Sequence, residues 1–356
     1  MRRDVRGLMP ETPNFTEWES QSGRMSPLDI RKGYDKYGWE GYVEEPEQAE
    51  RLERVLMYKT WSDAAEEFGT TGSGEGKLSR PWLAATKHAP DIFPGPPQTR
   101  GDCVSRGTAA AVAVSMFCEI EARQPDEETG LLETYEPVKF PEEGVVSSEI
   151  LYACRGHSGE GASCDRLAYY VSTEGGILLR KKYKFKNSGP LDLRKYDGDI
   201  GYKMGPMPPK EILDRAGNHP CRTVTRIKDI KQARDALANG YGMNVGSDRG
   251  FSSRRDRYGV SSGSGYWAHA MAWIGVNDDP NDPACQEHGR PLFLVLNSWG
   301  TSWNSGPRYH EQPAGSFWIK PRTAQNMLRR GSGFAFSRVS GFPAQELPDY
   351  GATSRI

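Results

Sequence analysis

The segment Pro97-Gln98-Thr99-Arg100-Gly101-Asp102-Cys103 runs straight into Val104-Ser105-Arg106-Gly107-Thr108-Ala109-Ala110-Ala111-Val112-Ala113-Val114. A Pro/Gly-punctuated approach that ends in a cysteine and gives way to small and apolar residues predicts a buried helix with Cys103 on its first turn. The helix should reach about Arg123, with Ala110, Val114, Phe117, Cys118 and Glu121 tracing its turns. Unpaired amides and the positive end of the helix dipole would both favour a thiolate at Cys103.

A chain of 356 residues can bury a sizeable core and form more than one domain. Lys and Arg total 46 against 47 Asp and Glu, so no nucleic-acid or anionic-membrane partner is expected. The 40 Gly and 25 Pro indicate a loop-rich protein. No apolar run comes near the roughly 18 residues that cross a bilayer. The basic start, Met1-Arg2-Arg3, has no apolar segment after it, so a cytoplasmic protein without a secretory signal is expected. Six scattered cysteines do not make a disulfide framework, and most are expected to be reduced. Cys118 reads as a small core residue. Cys154, His157 and Cys164 have loose spacing and no evident fourth ligand, so no metal or cofactor is expected.

Residues 1–45 read as an extended arm, 46–68 as one or two amphipathic helices, and Thr70 to Gly76 as a linker. Together, residues 1–80 form an extension that could be a propeptide, a structural flank or an arm docking an assembly partner. Asp126-Glu127-Glu128 marks a surface loop. A helix should start near Ser147-Ser148-Glu149, followed by a glycine-rich turn over Gly156 to Gly161. Another should cover Arg166 to Ser172 and close at Gly175-Gly176. Strands are expected over Val224 to Ile227, Tyr241 to Val245, Met271 to Val276, Leu292 to Asn297 and Phe317 to Ile319, with a helix over Ile230 to Asn239. A helical first half and a β-rich second half make an α+β fold. The basic stretch Arg249 to Arg257 reads as a solvated loop. Were it to line a cleft, it would favour acidic substrates.

A thiolate nucleophile needs an imidazole nearby, and the imidazole needs a third group to fix its tautomer. His269 in Ala268-His269-Ala270 and Asn297 in Asn297-Ser298-Trp299-Gly300 supply those residue types. Trp299, with Trp303 beyond it, would shield the Asn–His hydrogen bond from water. Asp102 would raise the pKa of the neighbouring thiol unless it points to solvent.

At this point the chain resembles the papain-like cysteine peptidases. Ser148 to Cys154 resembles the family's Ser-Glu…Leu…Cys helix, and Gly159-Glu160-Gly161 its glycine turn. Gly175-Gly176-Ile177 with Lys182-Tyr183 is similar to its Gly-Ile…Tyr stretch. His269 followed by Ala272 to Val276 resembles its histidine strand, and Asn297 to Trp303 its Asn-Ser-Trp-Gly-x-x-Trp block. Gly315 to Lys320 resembles the strand after that block. The likeness spans about residues 90–338 in the family's order.

The resemblance implies a two-domain fold with a cleft between a helical half (81–222) and a β-barrel half (223–340), ending in a tail over 341–356. It implies Cys103 as nucleophile, His269 as acid/base and Asn297 as orienter, acting on a polypeptide through a thioacyl intermediate. The Cys103 N–H and Gln98 would form the oxyanion hole, and Gly159 and Gly161 would line the substrate cleft. The family's cysteine upstream of the nucleophile is missing here, and Gln98 lies one residue closer to Cys103 than usual. The long spacing to His269 and Asn297 implies insertions around residues 192–220 and 277–291. The alternative is a papain-like fold used as a structural or assembly protein, such as a bacteriophage virion component in a virus particle, with weak or no activity.

Overall fold

The computed structural model describes residues 61, 69–89, 95–122, 145–219, 221–338, 342, 344, 345 and 347. The expected helices before Trp61, the acidic loop at 126–128 and most of the tail lie outside them. The helices are α1 (Trp82–His88), α2 (Cys103–Ala122), α3 (Ser148–Ala153), α4 (Cys164–Tyr169), α5 (Gly198–Met204), α6 (Lys210–Ala216), α7 (Ile230–Ala238), α8 (Pro283–His288) and α9 (Pro321–Arg330). The strands are β1 (Leu78–Ser79), β2 (Lys182–Phe185), β3 (Gly189–Asp192), β4 (Thr223–Arg226), β5 (Met243–Arg255), β6 (Ser261–Asn277), β7 (Leu292–Leu296), β8 (Ser316–Ile319) and β9 (Ser332–Ser337). Helix and sheet are thus mixed, as expected.

The main sheet is antiparallel, in the order β4-β9-β5-β6-β7-β8, with β1 also on β6. Its two ends do not pair, so the expected barrel is replaced by an open sheet. The sheet curls nonetheless. The Trp318 N–H donates to Gly259 O at 2.9 Å, and Val260 bridges to Trp318, bringing β8 against the β5–β6 turn. A single bridge there, rather than a ladder, leaves the ring open.

Helix α2 lies across β5, β6 and β9. Its small residues allow this close approach: a side chain on Gly107 would collide with the Asn244 carboxamide. Asn244 on β5 donates to Val104 O at 3.2 Å and to Thr108 Oγ1 at 3.0 Å, pinning the first turn of α2 to the sheet. One apolar cluster joins α1 to α4 to one face of the sheet, and a second covers the other face beneath α7 and α9. Contrary to the sequence reading, α2 is long and apolar enough to cross a membrane. Its Ala/Val run is instead buried within the protein, which is how a core helix of this composition is satisfied.

The reading of Thr70 to Gly76 as a linker is also corrected. It folds into turns held by the body: Gly72 N–H donates to Asp235 Oδ2 at 2.8 Å and Gly76 N–H to Asp278 Oδ2 at 3.0 Å. The basic stretch from Arg249 is strand, not loop. Arg255 is buried, its guanidinium donating to the carbonyls of Pro307 (3.0 Å), Gly306 (2.7 Å) and Ser316 (2.9 Å) and to Asn304 Oδ1 (2.8 Å). These acceptors fix the loop that leads into β8. All six cysteines are free and buried.

Candidate active site

Cys103 opens α2, as the sequence predicts, and its sulfur accepts a hydrogen bond from Ala270 N–H at 3.4 Å. Ala270 follows His269 in the middle of β6, so the strand sets the imidazole beside the start of the helix. His269 Nε2 pairs with Asn297 Oδ1 at 2.8 Å. This leaves Nδ1 buried without a hydrogen-bond partner among the described residues. Because Asn Oδ1 only accepts, Nε2 carries the proton and Nδ1 is left free to accept one. Three residues far apart in sequence therefore meet where the C-terminal end of β7, the middle of β6 and the N-terminus of α2 come together.

An indole cage closes one side. The Trp299 ring centroid lies 4.9 Å from that of His269 at 34°, and Trp267 lies 4.5 Å from Trp299. Trp303 stands edge-on to Trp299 at 5.6 Å and anchors through Nε1 to Gly315 O at 2.6 Å. Trp303 thus supports Trp299 from behind rather than touching the imidazole. The sequence assigned Trp267 no role. Its place in the cage follows from its position two residues away on the same strand, where side chains share a face.

Gln98 is fixed by the Asn-Ser-Trp-Gly turn. Its N–H donates to Ser298 O at 2.7 Å, and its side-chain NH2 donates to Arg100 O at 2.9 Å. Gly300 closes that turn with φ of 83°, and a Cβ there would stand 2.9 Å from Pro97 Cδ. The glycine is required both by the left-handed backbone and by the packing of Pro97. The glycine turn lies beside the residues that lead into Cys103. Gly159 is exposed and Gly161 buried, and Glu160 between them accepts from Gly101 N–H at 2.9 Å. Arg155 stabilises that turn from inside, donating to Gly159 O at 2.7 Å, Tyr152 O at 3.1 Å and Gly201 O at 3.2 Å. Glu160 and Arg155 had no signal in the sequence beyond their proximity to the glycines.

The electrostatics differ from the sequence expectation. Cys103 is 0% and His269 1% exposed. Burial pushes the thiol well above its ordinary range, the Ala270 N–H pulls it back, and the charge of Asp102 pushes it up again. Burial lowers the imidazole to about 4, partly offset by the bond to Asn297. The expectation of a thiolate favoured by the helix N-terminus is therefore corrected. A helix terminus contributes on the order of 0.3–1 kcal/mol, which loss of solvent outweighs. Burial thus favours the neutral thiol and the neutral imidazole over the ion pair.

Asp102 does not point to solvent. It is fully buried, Oδ2 accepts from Tyr196 Oη at 2.8 Å, and Oδ1 has no partner among the described residues. Burial raises this carboxyl to about 6, against the pull of Arg106 and of the Tyr196 hydroxyl. Cys154 and Cys164 are core residues, and no group of three or more His, Cys, Asp or Glu at metal-binding distance occurs among the described residues.

No family model and no curated protein matches the sequence. Among solved structures the chain is similar to xylellain, a cysteine protease from Xylella fastidiosa, at 16% identity and TM-score 0.44, covering 79% of this chain and 91% of that one. It is similar to procathepsin B from Trypanosoma congolense at 13% identity and TM-score 0.41, covering 73% and 77%. A procathepsin L proteinase from the larval midgut of Tenebrio molitor aligns at 15% identity and TM-score 0.38, covering 79% and 73%. At these TM-scores the likenesses are partial, and the functional reading rests on the geometry of the site.

Proposed function

We propose that the chain is a papain-like cysteine peptidase, with Cys103 as nucleophile, His269 as acid/base and Asn297 as orienter. The observation that carries the reading is the 2.8 Å bond from His269 Nε2 to Asn297 Oδ1, which leaves Nδ1 unpartnered while the Cys103 sulfur bonds to the next residue's amide. In this reading Nδ1 takes the thiol proton as the sulfur attacks a peptide carbonyl. The tetrahedral oxyanion is held by the Cys103 N–H and Gln98. Its collapse breaks the C–N bond, and the imidazolium returns the proton to the leaving amine. Water then attacks the thioester, giving up its proton to His269, and releases the acid and the free thiol. The substrate is polypeptide, running past Gly159 and Gly161.

One observation favours the second reading, a fold kept for a structural or assembly role with weak or latent activity. Both residues are shut off from solvent, and burial favours the protonated thiol. Labelling the full chain with an epoxide or vinyl-sulfone thiol probe, mapped by mass spectrometry, separates the two. The peptidase reading expects an adduct on Cys103 alone, lost in Cys103→Ala and in His269→Ala. A Cys103 that reacts no faster than the other five cysteines would overturn it.

A further inference from the structure

The four residues before Cys103 are held by side chains from two other segments, the 196–199 stretch and the glycine turn. Tyr196 Oη accepts from Thr99 N–H at 3.0 Å and donates to Asp102 Oδ2 at 2.8 Å. Asp199 takes Arg100 Nε at 2.6 Å, and Glu160 takes Arg100 Nη1 at 3.2 Å and Gly101 N–H at 2.9 Å. Between Tyr196 and Asp199 in the chain, Gly198 leaves no spare room: a Cβ there would stand 2.7 Å from Thr99 Oγ1 and 3.1 Å from Arg100 Cγ. The Arg106 guanidinium lies 4.1 Å above the Tyr196 ring and holds it from the opposite face. Tyr196 and Asp199 come from the stretch after β3 that the sequence presented only as an insertion around residues 192–220.

A phenol has one hydrogen to give. Because Thr99 N–H donates to the oxygen, that hydrogen goes to Asp102, so one atom ties the first residue of this loop to the last. Thr99 follows Gln98 and Asp102 precedes Cys103. The tie therefore spans the two groups that would bind the oxyanion. We infer that Tyr196 is a positioning residue that fixes the spacing between Gln98 and the Cys103 N–H, with Asp199 and Glu160 holding the loop between them. The inference rests on the peptidase reading.

Tyr196→Phe in the full chain tests it, since the ring and its stacking on Arg106 are kept and only the oxygen is lost. Three quantities are measured: kcat and KM on a peptide substrate, inhibition by a peptide aldehyde, whose hemithioacetal oxygen occupies the oxyanion position, and alkylation of Cys103 by iodoacetamide, which forms no oxyanion. A misplaced oxyanion site should lower kcat about tenfold and weaken the aldehyde by a similar factor, with KM and the alkylation rate within about twofold. Asp199→Asn should show the same pattern more weakly. Unchanged kcat and aldehyde affinity would overturn the inference. So would a parallel fall of turnover, aldehyde affinity, alkylation and thermal midpoint, which marks a merely structural residue. If the wild type neither cleaves peptide nor binds aldehyde while Cys103 still alkylates, it is the peptidase reading that fails, and the inference falls with it.

Discussion

Gln98 and Ser298 grip each other twice: the Gln98 N–H donates to Ser298 O at 2.7 Å, and Ser298 Oγ donates to Gln98 Oε1 at 2.5 Å. The residue after Asn297 is thus bonded to the residue proposed to face the oxyanion. Orientation of the imidazole and presentation of the Gln98 amide are consequently not independent. Ser298→Ala should lower kcat by about tenfold with little change in KM, because the Gln98 amide is then held only through its NH2 on Arg100 O. Gln98→Ala should cost at least as much, and the double variant should be no worse than Gln98→Ala alone. Steady-state kinetics on a double-mutant cycle checks this.

Asp102→Asn should make Cys103 more acidic, since it removes a buried negative charge beside the sulfur. The rate of Cys103 alkylation against pH should shift to lower pH, and an unshifted profile would refute the coupling.

The same substitution should alter stability with a defined sign. Folding raises the Asp102 carboxyl from 3.8 to about 6, so between these values the folded state binds the extra proton. Wild-type stability therefore falls as pH rises through that window, by about 3 kcal/mol for a shift of this size. Asp102→Asn should gain most at pH 7 and nothing below pH 4, less whatever the new unpaired amide costs. Chemical denaturation at pH 4 and pH 7 measures the difference.

Asn297→Ala should slow probe labelling of Cys103 on the order of tenfold to a hundredfold, since the His269 tautomer is then unfixed. His269 would be buried with both nitrogens unpaired, so the protein should also be less stable. Comparison of the labelling rate with that of Trp299→Phe, which keeps the bond, separates orientation from shielding.

Away from the site, Glu149 and Arg180 form a buried pair at 3.0 Å, and Glu149 also takes Ser147 Oγ at 2.7 Å and Asp197 N–H at 3.0 Å. Glu149→Ala should cost roughly 3–5 kcal/mol by leaving the guanidinium buried without its carboxylate. Adding Arg180→Met should recover part of that loss in urea unfolding.

Elements whose own residues carry the pattern were legible in the sequence. Helix α2 begins at Cys103, and β4, α7, β7 and β8 lie within a few residues of expectation, because turn residues and apolar periodicity bracket them. Strands β5 and β6 run far past their expected ends, since Ser, Gly and Arg between 247 and 266 look like loop until the two strands pair with each other. Helix α9 and strand β9 were missed, as was the β2–β3 hairpin. The residue types of the site were legible from Cys103, His269 and Asn297. The polar groups that hold them, Tyr196, Asp199, Glu160 and Arg155, were not, because a bond between residues 196 and 102 leaves no local trace. Burial was the least legible property, and it reverses the charge expected on the thiol.

Trp61 and Phe342 sit 4.8 Å apart, and both rest on Tyr241, which is 6.4 Å and 4.9 Å away from them. Tyr241 thus joins a residue that precedes the sheet to one that follows it, as an aromatic clasp. Gln345 adds to the clasp, its side-chain NH2 donating to Tyr241 Oη at 2.9 Å and its N–H to Asn239 Oδ1 at 3.0 Å, so tension from the C-terminal side would load these contacts before β9. Joining 61 to 342 by a short covalent link would hold this clasp shut through residues that are not part of the Cys103, His269 and Asn297 cluster.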